Sequence, residues 1–333
     1  VLGFLSNTLG HIISSDMKVE TYKKEIRPPK SIDIYCGGTA ESWSPQKLKG
    51  GLGGSETAVI KRANEWARMG YKITVYCSCD VPGVYDNVEY KDNRDFNIFT
   101  KFDILILWRN TEILKLTPPM ARIILVDLHD LISPKIYTPK AIEHTTKFCV
   151  KSSFHALMLQ DVPKNKISII PNGGKKYARG LEKNLNKIIY TSCYTRGLAF
   201  ILKWGWPRIR KACPQAEFHI YYGWNGFDAI VPKTEDTQLY KNTILDLMKQ
   251  DGVFEHGRVS QEDLAIEREK SNIHYYVGNF QEIDCISVRE SASLGAIPVV
   301  SSTVFVFNEK EYCLKVDGNP ILKDTQERAA DLI

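Results

Sequence analysis

Short, nearly continuous apolar runs alternate with amphipathic stretches along most of the chain. Ser31-Ile32-Asp33-Ile34-Tyr35-Cys36 predicts a first buried strand, ended by Gly37-Gly38. Ala58, Val59, Ala63, Trp66 and Ala67 then fall on one stripe of a helix that Gly70 stops. Tyr71–Cys77, Phe102–Trp108, Arg122–Val126 and Lys147–Val150 predict further strands, and their apolar character suits a parallel sheet covered on both faces. Lys151-Ser152-Ser153-Phe154-His155 opens a Ser-capped helix, and Ile167–Ile170 runs into Pro171-Asn172-Gly173-Gly174.

The alternation then starts again. Lys187–Ser192 predicts a strand, followed by a helix through Trp204 and a strand and its exit within Ala216–Trp224. Gln261–Lys270 reads as a short helix and Ile273–Val277 as a strand leading to Asn279–Glu290, a loop that enters a helix. Gly295 supplies a left-handed helix end, and Pro298-Val299-Val300 opens the next strand. Nothing repeats in sequence, so the pattern predicts an α/β fold of two Rossmann-like domains, over 31–174 and 187–310. A polar, basic linker occupies 175–186. Residues 1–30 are a lead-in to which no element is assigned, and 311–333 is a helical C-terminal segment. The missing initiator Met and an end inside helical sequence suggest a fragment.

Composition narrows the classes. At 333 residues the chain suits two cores, and 43% hydrophobic with 25% charged residues is ordinary for a soluble protein. A net charge of +5, with no long Lys/Arg run, argues against nucleic acid while leaving room for a locally basic pocket. Eight cysteines without a CxxC pair read as buried free thiols of a reducing, cytoplasmic setting. No apolar run approaches the ~20 residues of a membrane span. Lys47 and Lys49 leave peripheral membrane contact open.

The candidate chemistry lies at strand exits. Glu282 and Glu290 bracket the loop-to-helix transition, and a helix starting near Asp284 or Cys285 lets both border one pocket. The first amides of that helix, those of Cys285, Ile286 and Ser287, suit a phosphate or a sugar hydroxyl. Lys49-Gly50-Gly51-Leu52-Gly53-Gly54-Ser55-Glu56 is a glycine-rich turn opening a helix. A dinucleotide fingerprint counted from Gly51 fails because Glu56 stands where its last glycine belongs. His129 follows a strand, the position at which open α/β sheets bind ligands.

Glu282-x7-Glu290 followed by a small-residue helix, Gly295 and Pro298-Val299 resembles the signature of retaining GT-B glycosyltransferases of the family 4 type (glycosyl transferases group 1). Cys36-Gly37-Gly38, Gly53-Gly54-Ser55-Glu56, Leu107-Trp108-Arg109, Leu128-His129-Asp130, Lys151-Ser152-Ser153-Phe154-His155, Ile170-Pro171-Asn172-Gly173 and Tyr221-Tyr222-Gly223-Trp224 are similar to further stretches of that family in similar order, from about Ile32 to about Asn308. The resemblance implies the GT-B fold, with a cleft between an acceptor-side first domain, 31–174, and a nucleotide-sugar-binding second domain, 187–310. It also implies transfer of a sugar, with retention, from a nucleotide-diphosphate donor to a hydroxyl of a glycan, lipid-linked or protein-linked acceptor, with no other cofactor and no metal.

By the same resemblance Glu282 contacts the donor sugar or steadies its charge, His129 orients the sugar, and Arg196 with the amides near Ile286 and Ser287 holds the diphosphate. Glu290 holds the ribose, Arg258 and Val259 lie beside the base, and Gly53 and Gly54 admit donor phosphate or acceptor. The chain departs from the pattern in four places. The Gly-Arg that precedes Arg196-Gly197 in the family is absent, leaving Lys203 and Arg258 as substitutes for a second cation. The aspartate after Asn172-Gly173 is missing. Cys285 stands where many relatives carry Gly, and Asp284 where many carry an aromatic, which opens the donor-sugar preference. A non-catalytic nucleotide-sugar or glycan-binding subunit, a GT-B-fold epimerase and a phosphorylase remain alternatives.

Overall fold

The computed structural model describes residues 30–333 apart from 40, 110, 117, 133–136 and 175–177. The lead-in before Lys30 and the first residues of the linker therefore lie outside the described residues. The remainder forms two sheets, one per predicted domain.

The first sheet holds β1 (Ser31–Tyr35), β2 (Lys72–Cys77), β3 (Gly83–Tyr85), β4 (Val88–Asp92), β5 (Phe102–Trp108), β6 (Ala121–Asp127), β7 (Lys147–Val150) and β8 (Ile167–Ile169), in the order β3-β4-β2-β1-β5-β6-β7-β8. Only β3 runs antiparallel to its neighbour. The helix α1 (Gly54–Arg68) covers one face with Val59, Ile60, Ala63 and Trp66, of which Val59 and Ile60 are each worth about 1.5–3 kcal/mol of burial. Ile32, Val75, Ile104 and Ile106 meet it from the sheet, while Leu105, Leu107, Val126 and Phe148 face the opposite core. Both faces are therefore covered, as the unbroken apolar runs predict.

The β3–β4 hairpin is a feature the pattern reading does not contain. Its turn residues Asp86 and Asn87 both have positive φ, 49° and 63°, as a tight hairpin turn requires. Only Val88 and Tyr90 of β4 are buried, so its apolar signal is thin.

The second sheet holds β9 (Asn184–Tyr190), β10 (Glu217–Ile220), β11 (Val253–Glu255), β12 (Ser271–Tyr276), β13 (Ile297–Ser301) and β14 (Leu314–Val316), in the order β11-β10-β9-β12-β13-β14, all parallel. Helices α2 (Gln261–Lys270), α3 (Ile286–Ser293) and α4 (Lys323–Ala330) flank it. The strand β9 starts at Asn184, inside the expected linker, because its first three residues, Asn184, Leu185 and Asn186, are exposed and break the apolar run that marks Ile188–Tyr190. The C-terminal segment is not purely helical: β14 adds an edge strand in which only Val316 is buried. Helix α4 packs back on the sheet, where Gln326 Nε2 donates to Val277 O at 2.9 Å and Tyr275 Oη to Gln326 Oε1 at 3.1 Å. All eight cysteines are free thiols, six of them buried. No helix among the described residues is long and apolar enough to cross a membrane.

Side chains and backbone tie the two domains together. Arg258 Nη1 donates to Glu41 Oε1 at 2.9 Å, Gln261 Nε2 to Leu52 O at 3.0 Å, and the Asn172 amide to Asp284 Oδ2 at 2.7 Å. Gly51, at φ +89°, passes so close to the second domain that a Cβ there would stand 2.5 Å from Arg258 Cγ and 2.6 Å from Val259 O. Only glycine fits that crossing.

Candidate active site

Both sheets send the carboxyl ends of their strands toward one cleft of about 1850 Å³. Its first wall is the glycine-rich turn and α1 with the exits of β5 and β6; its second is the exits of β9 and β10, then Arg258, Val259, Arg268 and the Glu282–Glu290 stretch. Of the residues singled out from sequence, His129, Arg196, Glu282, Glu290, Arg258, Val259, Ile286, Ser287, Gly53 and Gly54 all line it. Lys203 does not. Its amine lies 4.6 Å from the Trp204 ring centre, and its side chain is exposed.

The Glu282 carboxylate is 6% exposed and accepts from Arg196 Nη1 at 2.7 Å and Tyr276 Oη at 2.6 Å. Burial and the neighbouring Glu282 push the Tyr276 phenol well up, so it stays protonated and donates. The Arg196 guanidinium also lies 4.1 Å from the Phe280 ring centre, with a third of the side chain open. One carboxylate and one ring thus fix a cation that still faces the cleft.

Glu290 meets Arg268, which is 4% exposed and donates through Nη2 to Thr191 Oγ1 at 3.1 Å. Thr191 in turn meets Ser287 Oγ, which donates to Thr191 O at 3.0 Å. Helix α3 begins after Cys285, and the first amide to bond back is that of Arg289, to Cys285 O at 3.1 Å. The amides of Ile286 and Ser287 precede that turn and border the cleft.

On the first wall the His129 side chain is 2% exposed, with Nε2 2.9 Å from Asp127 Oδ2 and 3.1 Å from Arg62 Nη2. Burial lowers the imidazole to about 4 despite Asp127, so it is neutral near pH 7. Burial by itself would raise the Asp127 carboxyl, but Arg62, Lys151 and His129 outweigh it and hold it well below the usual range. Lys151, 1% exposed, pairs with the other Asp127 oxygen. His129 is thereby locked in place as a neutral hydrogen-bonding ring.

Three expected residues are partly engaged by the protein itself. Arg258 is paired with Glu41 across the cleft, so its charge is not free for a second phosphate. The space beside Gly53 is taken by the Glu56 carboxylate, 2.3 Å from a Cβ built there, and beside Gly54 Ile286 Cδ1 stands at 3.3 Å. Gly54 thus serves the approach of the two domains, whereas the atoms beside Gly53 belong to its own helix. The buried Asp284 carboxylate is taken by the Asn172 amide, Arg289 (2.5 Å) and Lys310 (3.6 Å), and Cys285 packs in the second core.

Sequence reading does not contain Arg268, Tyr276, Arg62, Lys151 or Thr191 as site residues. Arg268 sits in Gln261–Lys270, whose alternating charges look like a solvated helix, and Lys151 hides in a run read as a helix cap. Lys151 belongs to a stretch that resembles the family, but the burial of neither residue has a local signal, because each is drawn inward by a carboxylate distant in sequence.

Similarity to known structures bears on the fold. No family model matches the chain, and no curated protein matches it in sequence. Solved structures do match. Sucrose-phosphate synthase from Thermosynechococcus elongatus superposes over 92% of this chain and 90% of its own, at 12% identity and a TM-score of 0.65. A UDP-forming trehalose-phosphate synthase from Burkholderia vietnamiensis covers 91% of both chains at 12% identity, TM-score 0.60. Anabaena HepE in complex with UDP and glucose covers 90% of this chain and 89% of its own at 12% identity, TM-score 0.59. The fold is that of the GT-B glycosyltransferases, two Rossmann-like domains facing a cleft.

Proposed function

We propose that the chain is a retaining glycosyltransferase that moves a sugar from a nucleotide-diphosphate donor to a hydroxyl of a glycan, lipid-linked or protein-linked acceptor. The observation that carries this reading is Arg196, fixed by Glu282 and Phe280, facing the same cleft as the open first turn of α3. Departure of a nucleoside diphosphate concentrates negative charge on the leaving oxygen, and a preset guanidinium with helix-terminal amides stabilises that charge where it develops.

The other roles follow from chemistry. Glu290 accepts ribose hydroxyls while Arg268 holds its carboxylate in place, and Glu282 stands beside the donor sugar. His129, neutral and clamped, orients the sugar by hydrogen bonding. With Arg258 committed to Glu41, Arg196 bears the charge of the diphosphate together with amides rather than with a second free arginine. The fold supports this reading, as do the UDP and UDP-glucose in the described complexes of Anabaena HepE. The retaining outcome and the lack of a metal requirement are parts of the proposal, and full activity in excess chelator is the expected result.

The test is thermal stability against UDP, GDP, ADP and TDP and their sugars. A ligand at ~100 times its Kd stabilises by about 2.7 kcal/mol, which is readily measured. A response to one base identifies the donor class. Absence of any response removes the donor site drawn around Arg196 and Glu290. Binding with neither transfer nor slow donor hydrolysis would identify a non-catalytic subunit instead, and an isomerised donor without acceptor an epimerase.

A further inference from the structure

The first wall carries a group of charged residues that the donor chemistry leaves unused. Arg109, at the exit of β5, has φ +67°, a left-handed conformation that non-glycine residues rarely adopt. That turn lays its guanidinium 4.5 Å from the Trp108 ring centre and aims it between two carboxylates. Nη2 donates to Asp130 Oδ1 at 2.8 Å, Nε lies 2.7 Å from Asp130 Oδ2, and Nη1 reaches Glu56 Oε1 at 3.4 Å. All three residues line the cleft, as does His129, the residue between Leu128 and Asp130. Thr57 Oγ1 and the Trp108 indole N–H, on residues that also line it, are buried with no hydrogen-bond partner among the described residues.

We infer that Glu56, Arg109 and Asp130 form the acceptor subsite, and that the acceptor presents a pair of neighbouring uncharged hydroxyls there, as an unphosphorylated sugar does. The inference rests on the glycosyl-transfer reading above. Its chemistry is local: a guanidinium fork flanked by carboxylates offers donors and acceptors side by side, the pattern that matches a vicinal diol. Two carboxylates for one guanidinium disfavour a phosphate at the same place. The neighbouring Arg62 is tied to Asp127 and His129, and the remaining cations of this wall, Lys49 and Lys61, are exposed at its rim. A cleft of about 1850 Å³ exceeds the ~300–1000 Å³ of a single small-molecule site, so donor and acceptor fit together.

The experiment is ligand-observed NMR on the full chain, saturated with whichever nucleoside diphosphate stabilises it. The probes are the methyl glycosides of glucose, galactose, mannose and N-acetylglucosamine, each beside its 6-phosphate. At least one neutral glycoside should bind, no more weakly than its 6-phosphate. Arg109→Met should weaken it about tenfold or more, with Arg109→Lys failing to restore it because the fork is lost. Asp130→Asn, at a largely exposed carboxylate, should weaken the glycoside as well and serves if Arg109→Met does not fold. Nucleoside diphosphate affinity should stay unchanged in each folded variant. Binding of the nucleotide but of no neutral glycoside, tighter binding of a 6-phosphate, or indifference to both Arg109→Met and Asp130→Asn overturns the inference. Failure of the wild-type chain to bind any nucleotide overturns the donor reading instead, and with it the premise of this one.

Discussion

Arg268 and Glu290 form an ion pair between α2 and α3 at the edge of the cleft, with the guanidinium almost wholly buried and the carboxylate less so. The pair joins a residue that nothing in the sequence marks to the one expected to hold the ribose. Its geometry makes the carboxylate's position depend on the arginine.

Replacing Glu290 by Ala should therefore do two things. It should weaken nucleoside diphosphate binding, and it should cost about 3 kcal/mol of stability by leaving a buried guanidinium without its partner. Titration calorimetry and urea unfolding check the two effects separately. Wild-type nucleotide affinity in a folded Glu290→Ala chain would remove the ribose role.

Arg196→Met should lower the transfer rate by about 100-fold, the scale of losing one preset donor to a developing anion. Affinity for the nucleoside without its diphosphate should remain. Initial rates with the donor found in the thermal panel test this, and a Met variant as fast as wild type would exclude Arg196 from the reaction.

Gly51→Ala meets both a left-handed backbone and a Cβ only 2.5 Å from Arg258 Cγ. We expect the two domains to be held apart while each core stays folded. Small-angle scattering should report a larger radius of gyration, with weaker nucleotide binding. An unchanged radius and unchanged affinity would show that the crossing tolerates a methyl group.

Acid should unfold the protein through its buried imidazoles. Burial lowers His129 and His155 to about 4 and His274 to about 3, whereas an unfolded histidine titrates near 6.5. Below pH 6.5 the unfolded chain binds protons that the native one refuses, so stability is full above that value and falls as pH drops toward 4. Each ring costs about 2 kcal/mol between pH 7 and pH 5. Urea midpoints across that range test it, and a flat profile would mean the rings are charged or open in the native state.

The order of strands and helices was legible because it is written in local periodicity: Phe102–Trp108 is buried nearly throughout, and α3 ends at Gly295, with φ +87°, as its residue type requires. The β3–β4 hairpin was missed, although Asp86-Asn87 marks its turn. The pairing of Glu282 with Glu290 at one cleft followed from their eight-residue spacing around a helix start. What each carboxylate touches did not. Arg196 comes to Glu282 from 86 positions away, Arg268 to Glu290 across two helices, and Glu41 to Arg258 across 217 positions.

Sequence by itself determined the alternation that makes two α/β domains and the strand exits where chemistry gathers, since backbone geometry couples a residue to its near neighbours. Only the tertiary structure decided which charges are spent within the protein and which face the cleft. Arg258 looked available and is paired with Glu41, while Lys151 and Arg268, read only as parts of helices, are buried. The physical reason is that the state of a charge depends on desolvation and on partners within a few ångströms, and chain closure brings those together from positions that sequence spacing does not relate.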